Sequence, residues 1–273
     1  MVYVKLTTED CIHNGYQYKE GLNCLDGEFN SEKICAEGGL YFCDEKDIGD
    51  WVYYSDKLMH YIWDVTLLDD SKLVDMGNKL KTDKFILQNK RTIWDDNELC
   101  KLVVQRNGLA LEFVKDQTEE ICKLAVQQTG SALQYVKCQT EEICKLAVQQ
   151  CRCVFQNGLA LKFVKDQTEE ICKLAVRQNG RALQFVKDQT EEICKLAVQQ
   201  NGLSLKFVKN QTEEICKLAV RQNGFSLYYV KEKTDEIYKL AVQQNELSLQ
   251  CVKELTEEYA NQPFNKVDAH YNM

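Results

Sequence analysis

Residues Thr118 to Gln139 read Thr-Glu-Glu-Ile-Cys-Lys-Leu-Ala-Val-Gln-Gln-Thr-Gly-Ser-Ala-Leu-Gln-Tyr-Val-Lys-Cys-Gln. The phrase returns with its threonine at Thr140, Thr168, Thr190, Thr212, Thr234 and Thr256, and a degenerate copy starts at Asp96. The spacing is 22 residues throughout, except between Thr140 and Thr168, where it is 28. Self-similarity at a fixed period of this size marks units that stack, each burying its apolar face only against its neighbours.

Within a unit, Thr118 precedes two glutamates and the run Ile-Cys-Lys-Leu-Ala-Val. A threonine hydroxyl caps the first free amides of a helix, and the glutamates complement its positive end. A capping box set two residues earlier, over Asp116-Gln-Thr-Glu119, is also compatible. The helix is expected to run through Gln128. It should stop at the Asn-Gly found in most copies (Asn107-Gly108, Asn179-Gly180, Asn201-Gly202, Asn223-Gly224), because glycine accepts the left-handed conformation that ends helices. Glu119 with Lys123, and Glu169 with Lys173, read as i, i+4 surface pairs, and Gln127-Gln128 as a solvated ridge.

The second segment, Leu159-Ala-Leu-Lys-Phe-Val164, admits a strand, which would make each unit resemble a leucine-rich repeat, or a second helix. Comparison of the copies favours the helix. The second position is always Ala or Ser and the sixth always Val. The apolar or small set Ala182, Leu183, Phe185 and Val186 follows helical spacing rather than alternation. A single pair of such short helices is too small to fold alone, so the units must share faces. The unit of 28 residues adds Cys151-Arg-Cys-Val-Phe-Gln156, read as either a lengthened first helix or a loop.

Before the repeats the texture changes. Val2-Tyr3-Val4-Lys5-Leu6, Gly39-Leu40-Tyr41-Phe42-Cys43 and Tyr61-Ile62-Trp63-Asp64-Val65-Thr66 are separated by Asn, Asp and Gly clusters, and one helix is expected near Lys46 to Tyr54. All three tryptophans (Trp51, Trp63, Trp94) lie in or next to this stretch. The expected fold is α+β overall: a small, mostly β N-terminal domain (1–92), an all-α solenoid of about seven or eight stacked short helical hairpins (93–258), and a C-terminal cap or tail (259–273).

Composition narrows the function. The net charge is −8; residues 1–95 hold 11 basic against 18 acidic side chains, and residues 96–273 hold 23 against 24. Neither part has the basic excess that phosphate contacts require, so nucleic acid is not an expected partner. No signal-peptide pattern or membrane-spanning apolar run is seen, so neither a membrane partner nor a secreted location is expected. Six of the 14 cysteines (Cys100, Cys122, Cys144, Cys172, Cys194, Cys216) share one repeat position. Stacked helices lie about 8 to 10 Å apart, too far for equivalent cysteines to bridge, so these read as small buried hydrophobes in a reducing cytosol.

No cofactor or metal is expected: Cys11, Cys24, Cys35 and Cys43 show no paired knuckle, and Cys138, Cys151 and Cys153 are weak evidence. His13, Glu37 and Asp44 are loose candidates for acid–base chemistry, and Gly38-Gly39-Leu40-Tyr41-Phe42 for a turn against a ligand. The only proline is Pro263, so the Leu-Pro core of an F-box is absent.

Function is sought where the copies disagree. The residue at the position after the glycine is Leu109, Ser131, Leu159, Arg181, Leu203, Phe225 or Leu247, and three residues on come Glu112, Gln134, Lys162, Gln184, Lys206, Tyr228 and Gln250. Being i and i+3, they share a face and line into a strip, with Arg181, Phe225, Tyr228 and Tyr229 as expected anchors for a protein partner. The strip predicts a non-enzymatic scaffold. The alternative is an N-terminal enzyme or adaptor with the repeats as substrate receptor. A cavity in residues 1–92 with converging His13 and acidic groups would favour the latter. Homo-oligomerisation is a third possibility.

The repeated phrase, in consensus Glu-Ile-Cys-Lys-Leu-Ala-Val-Gln-Gln-Asn-Gly-Leu-Ala-Leu-Lys-Phe-Val-Lys over about residues 96 to 258, resembles repeats of uncharacterised proteins in mimivirus-like giant DNA viruses of amoebae, related to a domain of unknown function. Lys5-Leu6-Thr7, His13-Asn14-Gly15-Tyr16-Gln17-Tyr18 and Gly38-Gly39-Leu40-Tyr41-Phe42 look like the module that precedes ankyrin and other repeats in such proteins. The resemblance implies a viral repeat protein in the host cytoplasm. It supplies no catalytic residues, and the insertion at 151–156 departs from its pattern.

Overall fold

The computed structural model describes residues 2–13, 15–33, 37–54, 57–149 and 158–245. Contacts divide the chain into two compact units, Met1–Asp166 and Gln167–Met273. The insertion at 151–156 and the tail at 259–273 lie outside the described residues.

In the first unit, short β-branched and aromatic runs broken by turn residues form strands. They are β1 (Tyr3–Thr7), β2 (Ile12–His13), β3 (Tyr16–Gln17), β4 (Gly21–Cys24), β5 (Leu40–Asp44), β6 (Tyr53–Tyr54), β7 (Lys57–Leu58), β8 (Tyr61–Thr66), β9 (Leu73–Asp75), β10 (Leu80–Thr82) and β11 (Lys84–Thr92). Seven build one sheet in the order β4-β11-β8-β1-β5-β10-β9, while β2-β3 and β6-β7 form separate pairs. All three runs read as strands from sequence are strands. The expected helix is a 3-10 turn (Glu45–Asp47) running into α1 (Ile48–Trp51). Phe42, Trp63, Phe85 and Leu87 centre the core on one face of the sheet, under Cys11 and Tyr18.

The helices α2 (Asn97–Arg106), α3 (Glu119–Gln128) and α4 (Glu141–Gln149) follow in this unit, and α5 (Glu169–Gln178), α6 (Glu191–Gln200), α7 (Glu213–Gln222) and α8 (Asp235–Gln244) form the second. Within each unit the helices pack in sequential order. The β domain meets the first repeat directly: Trp94 donates from Nε1 to the Met59 carbonyl at 3.2 Å, its ring lies 5.4 Å from that of Phe113, and Asp50 faces Arg106 at 3.9 Å.

The threonine caps as expected. Thr118, Thr140, Thr168, Thr190 and Thr212 accept through Oγ1 from the amide three residues on, at 3.3 to 3.4 Å. The capping box at Asp116 is not the one used, because Thr118 is itself the residue before the helix. The second segment is helical, but as a 3-10 turn, for example Gly180–Phe185, Gly202–Phe207 and Gly224–Tyr229. Six residues separate the Asn cap from the extended Val, and bonds to the third residue back (Ala182 N to the Asn179 carbonyl, Val186 N to the Leu183 carbonyl) satisfy the backbone at both ends of this short turn.

The expected role of glycine is overturned. Helices α2, α3 and α5 to α8 end on an asparagine or threonine with extended backbone, near φ −152° at Asn201, and Asn201 then caps the 3-10 turn by accepting from Leu203 N at 3.1 Å. The glycines that follow have ordinary φ, except Gly158 at +78°. Their reason is space: a Cβ at Gly108, Gly130, Gly180 or Gly202 would run into the carbonyl oxygen of Ala125, Ala147, Ala197 or Ala219 in the next repeat.

Polar positions read as surface features also join repeats. The second residue of the Gln-Gln pair, which is Arg-Gln at 221–222, is more than a solvated ridge, since Gln200, Gln222 and Gln244 accept through Oε1 from the amides of Gly180, Gly202 and Gly224 at 2.6 to 2.9 Å. Lys195 pairs with Glu191 in its own helix and with Glu214 of the next, at 2.9 and 2.7 Å, and Lys217 likewise with Glu213 and Glu236. The bond to the next repeat's carboxylate is the first cause that raises these lysines' pKa.

Two serines break the pattern from inside. Ser204 and Ser226 are buried at the position held by Ala110, Ala132, Ala160 and Ala182, and their hydroxyls find no partner among the described residues. A buried hydroxyl without a partner costs about 1 to 3 kcal/mol. Ser226→Ala is therefore expected to stabilise the chain by about 1 kcal/mol, measured as a higher urea midpoint at unchanged slope. An unchanged or lower midpoint would show that the hydroxyl is bonded in solution.

Candidate functional site

The variable positions fall on the 3-10 turns, where three residues complete a turn and i and i+3 lie one above the other. In the first unit Leu109 (41% exposed), Glu112, Gln134 and Lys162 face solvent, and Ser131 and Leu159 are half-buried. Glu112 hydrogen-bonds Tyr135, whose pKa is raised first by burial and then by that carboxylate.

In the second unit Arg181, Gln184 and Lys206 are exposed and Leu203 is half-buried; Gln184 donates from Nε2 back to the Arg181 carbonyl at 3.0 Å. Lys206 lies 4.6 Å from the centroid of the Phe207 ring. The apolar weight is concentrated in one repeat. Phe225 is 38% and Tyr228 65% exposed, and the Tyr228 and half-buried Tyr229 rings meet at 5.1 Å, perpendicular. Each sequence-predicted strip residue among the described residues thus lies on a 3-10 turn, while Leu247 and Gln250 lie outside the described residues. Leu111, Leu133, Leu161, Leu183, Leu205 and Leu227 carry the buried side of the same turns.

Beneath the strip, one residue per repeat joins neighbours in a way sequence reading missed. Gln189 donates from Nε2 to the carbonyls of Leu183 in its own repeat and Phe207 in the next, at 3.2 and 2.9 Å. Its Oε1 accepts from Lys209 N at 3.0 Å and from the Cys194 thiol at 3.7 Å. Gln117, Gln139, Gln167 and Gln211 repeat the arrangement. The repeated cysteine is therefore a small buried group with a weak donor aimed at this amide. Burial pushes the thiols' pKa up and keeps them protonated. Gln and Cys are lost together in the repeat of Thr234, which has Lys233 and Tyr238. The signal was legible as the Gln-Thr pair shared by the copies of Thr118, Thr140, Thr168, Thr190 and Thr212, but nothing marked its amide as buried.

The N-terminal domain holds a cavity of about 1030 Å³. β1 pairs with β5 only at Tyr3 and Val4, against Asp44 and Cys43, and the cavity opens where the strands part, lined by Val4, Lys5 and Leu6 on one side and Gly39 to Cys43 on the other. His13, Glu37 and the Gly38-to-Phe42 run, singled out from sequence, all line it. Asp44 does not; its carboxylate accepts from Lys46 N at 3.4 Å and caps the turn before α1.

Lys5, Lys79 and Trp51 were missed. Lys5 Nζ lies 3.1 Å from His13 Nδ1 and 4.3 Å from the centroid of the Tyr18 ring. Burial pushes Lys5 down to about 7. His13 falls to about 3, first through burial and then through the charges of Lys5, Lys57 and Lys79, so it is neutral and accepts at Nδ1 from the Lys5 ammonium. The lining carboxylates Asp26, Glu28 and Glu37 are exposed.

Comparison with known proteins follows the repeats. A family described as a domain of unknown function (DUF4116) matches residues 96–137, 168–212 and 190–234. Uncharacterized protein R869 of Acanthamoeba polyphaga mimivirus is 33% identical over 106 residues, covering 38% of this chain and 76% of that protein. Two putative ankyrin repeat proteins of the same virus are also similar. R868 is 47% identical over 45 residues (16% of this chain, 22% of that protein), and R896 is 42% identical over 55 residues (20% and 17%). No solved structure matches significantly. With its helical units aligned on that domain and R869 covered over most of its length, the chain belongs to the family of giant-virus DUF4116 repeat proteins.

Proposed function

We propose that the chain is a non-enzymatic scaffold whose repeats hold a protein, host or viral, in the cytoplasm of the infected cell. One observation carries this reading: Phe225 and Tyr228 stand exposed on one short turn, held from behind by buried Ser226 and Leu227. Aromatic side chains and arginine on a rigid support are what protein hot spots use, because they bury much area at little cost in side-chain entropy.

The triple variant Arg181→Ala/Phe225→Ala/Tyr228→Ala tests it. These side chains are exposed, so stability should change by no more than about 0.5 kcal/mol for each substitution. Capture of partners from infected cells should fall at least about tenfold. The same partners recovered in the same amounts would remove the strip from the account.

A second reading has its own support. An N-terminal domain that acts as an enzyme or adaptor, with the repeats as its receptor, has in its favour a cavity whose lining includes His13 and the residues Asp26, Glu28 and Glu37. Self-association is the remaining outcome and would be read by light scattering.

A further inference from the structure

The cavity between β1 and β5 keeps two lysines on its wall, Lys5 at 2% and Lys79 at 9% exposure. Neither forms an ion pair with a carboxylate among the described residues. Lys5 bonds His13 and faces Tyr18, and the Lys79 Nζ lies 4.5 Å from the ring centroid of Trp51 and 5.0 Å from that of Tyr41. Buried cations are ordinarily paired, because desolvation without a counter-charge is expensive. Here the nearby groups are aromatic faces and a neutral imidazole, which soften the cost without neutralising the charge. The carboxylates lining the cavity are exposed to solvent, which weakens their field at the lysines.

We propose that this cavity binds a small organic oxyanion, a carboxylate or phosphate ester on a flat or apolar body, with Lys5 and Lys79 receiving the anion. The volume admits a molecule of cofactor size. Tyr16, Leu25, Trp51 and Met59 supply apolar and aromatic wall for the body. An anion beside Lys5 returns the counter-charge that the fold withholds and favours its protonated form. The inference does not depend on the repeats holding a protein.

The groups facing Lys5 are His13 from β2, Tyr18 after β3, Cys43 from β5 and Lys79 before β10, with Trp63 opposite it on β8. Cys43 is pushed up to about 12 and Tyr18 is also raised, both by burial, and His13 is down at about 3. Of Lys5, His13, Tyr18 and Cys43, Lys5 is the group that changes charge near neutrality, so anion binding should weaken as pH rises from about 6 to 8.

The test uses the full chain and two dyes of one shape, 8-anilinonaphthalene-1-sulfonate and the uncharged N-phenyl-1-naphthylamine. It is run in the Phe225→Ala/Tyr228→Ala background, so that the aromatic patch of the repeats does not count. The sulfonate dye should saturate a single site and bind at least about tenfold more tightly than the neutral one. Lys79→Gln should lower its affinity about tenfold with an unchanged circular dichroism spectrum. Lys5→Met should abolish the pH dependence. If that variant does not fold, the pH profile of the parent and Lys79→Gln still decide. Competition by phenyl phosphate against benzoate names the anion. Equal affinity for the two dyes, indifference to Lys79→Gln, or no saturable binding would each overturn the proposal.

Discussion

Gln189→Leu is expected to cost about 2 to 4 kcal/mol, although leucine is close to glutamine in size and the side chain is only partly buried. Three backbone groups lose a partner at once: the carbonyls of Leu183 and Phe207 and the amide of Lys209. The loss falls on the junction between two repeats, so the Lys209 amide should exchange with solvent much faster in the variant and the urea midpoint should drop. Cys194→Ala, which removes only a weak thiol donor, should cost far less.

Gln189→Glu sharpens the test through its sign. A carboxylate turned on two carbonyls is held in its neutral form, so its folded pKa lies above the unfolded value of about 4.3. Relative to the parent, the penalty is absent below that value and grows as pH rises through the folded pKa. A Lys209 amide that stays protected in Gln189→Leu would mean that the junction does not rest on this side chain.

Gly202→Ala is expected to destabilise by about 2 to 3 kcal/mol, the opposite of what alanine does at an unconstrained glycine. A methyl there would sit 2.8 Å from Gln222 Oε1 and from Ser226 Oγ, and closer still to the Ala219 carbonyl oxygen. It would also push away the acceptor of the Gly202 amide, which bonds Gln222 Oε1 at 2.6 Å. Because φ at Gly202 is ordinary, alanine pays no conformational penalty and gains about 0.4 to 1 kcal/mol through the unfolded chain. The sign of the change therefore separates the two explanations. A stabilised variant in thermal or urea unfolding would show that the repeats are not held apart by the width of this residue.

Much of the fold was legible because it depends on local chemistry. Thr190 before Glu191-Glu192 starts a helix wherever it occurs, and the 22-residue echo requires stacking. The outward positions were legible for the same reason: Arg181, Phe225 and Tyr228 vary where Leu183 and Leu227 do not. The 3-10 geometry was not, since six residues with apolar groups at helical spacing satisfy either helix type until the flanking Asn and Val are seen to be extended. The cavity was half legible. His13 and Gly38 to Phe42 drew notice as residue types, while nothing in the sequence singled out the Lys5 or Lys79 side chain.

What the sequence determined by itself was the unit: its period, its capped helix, and the side on which each turn is apolar. Those follow from spacing and from side chains that act on their own backbone. The tertiary structure alone decided what joins one unit to the next and what the sheet leaves open. Gln189 acquires its partners, Gly202 its narrow space and Lys5 its dry setting only when residues distant in the chain arrive beside them. Burial and hydrogen-bond pairing are properties of that neighbourhood rather than of the residue.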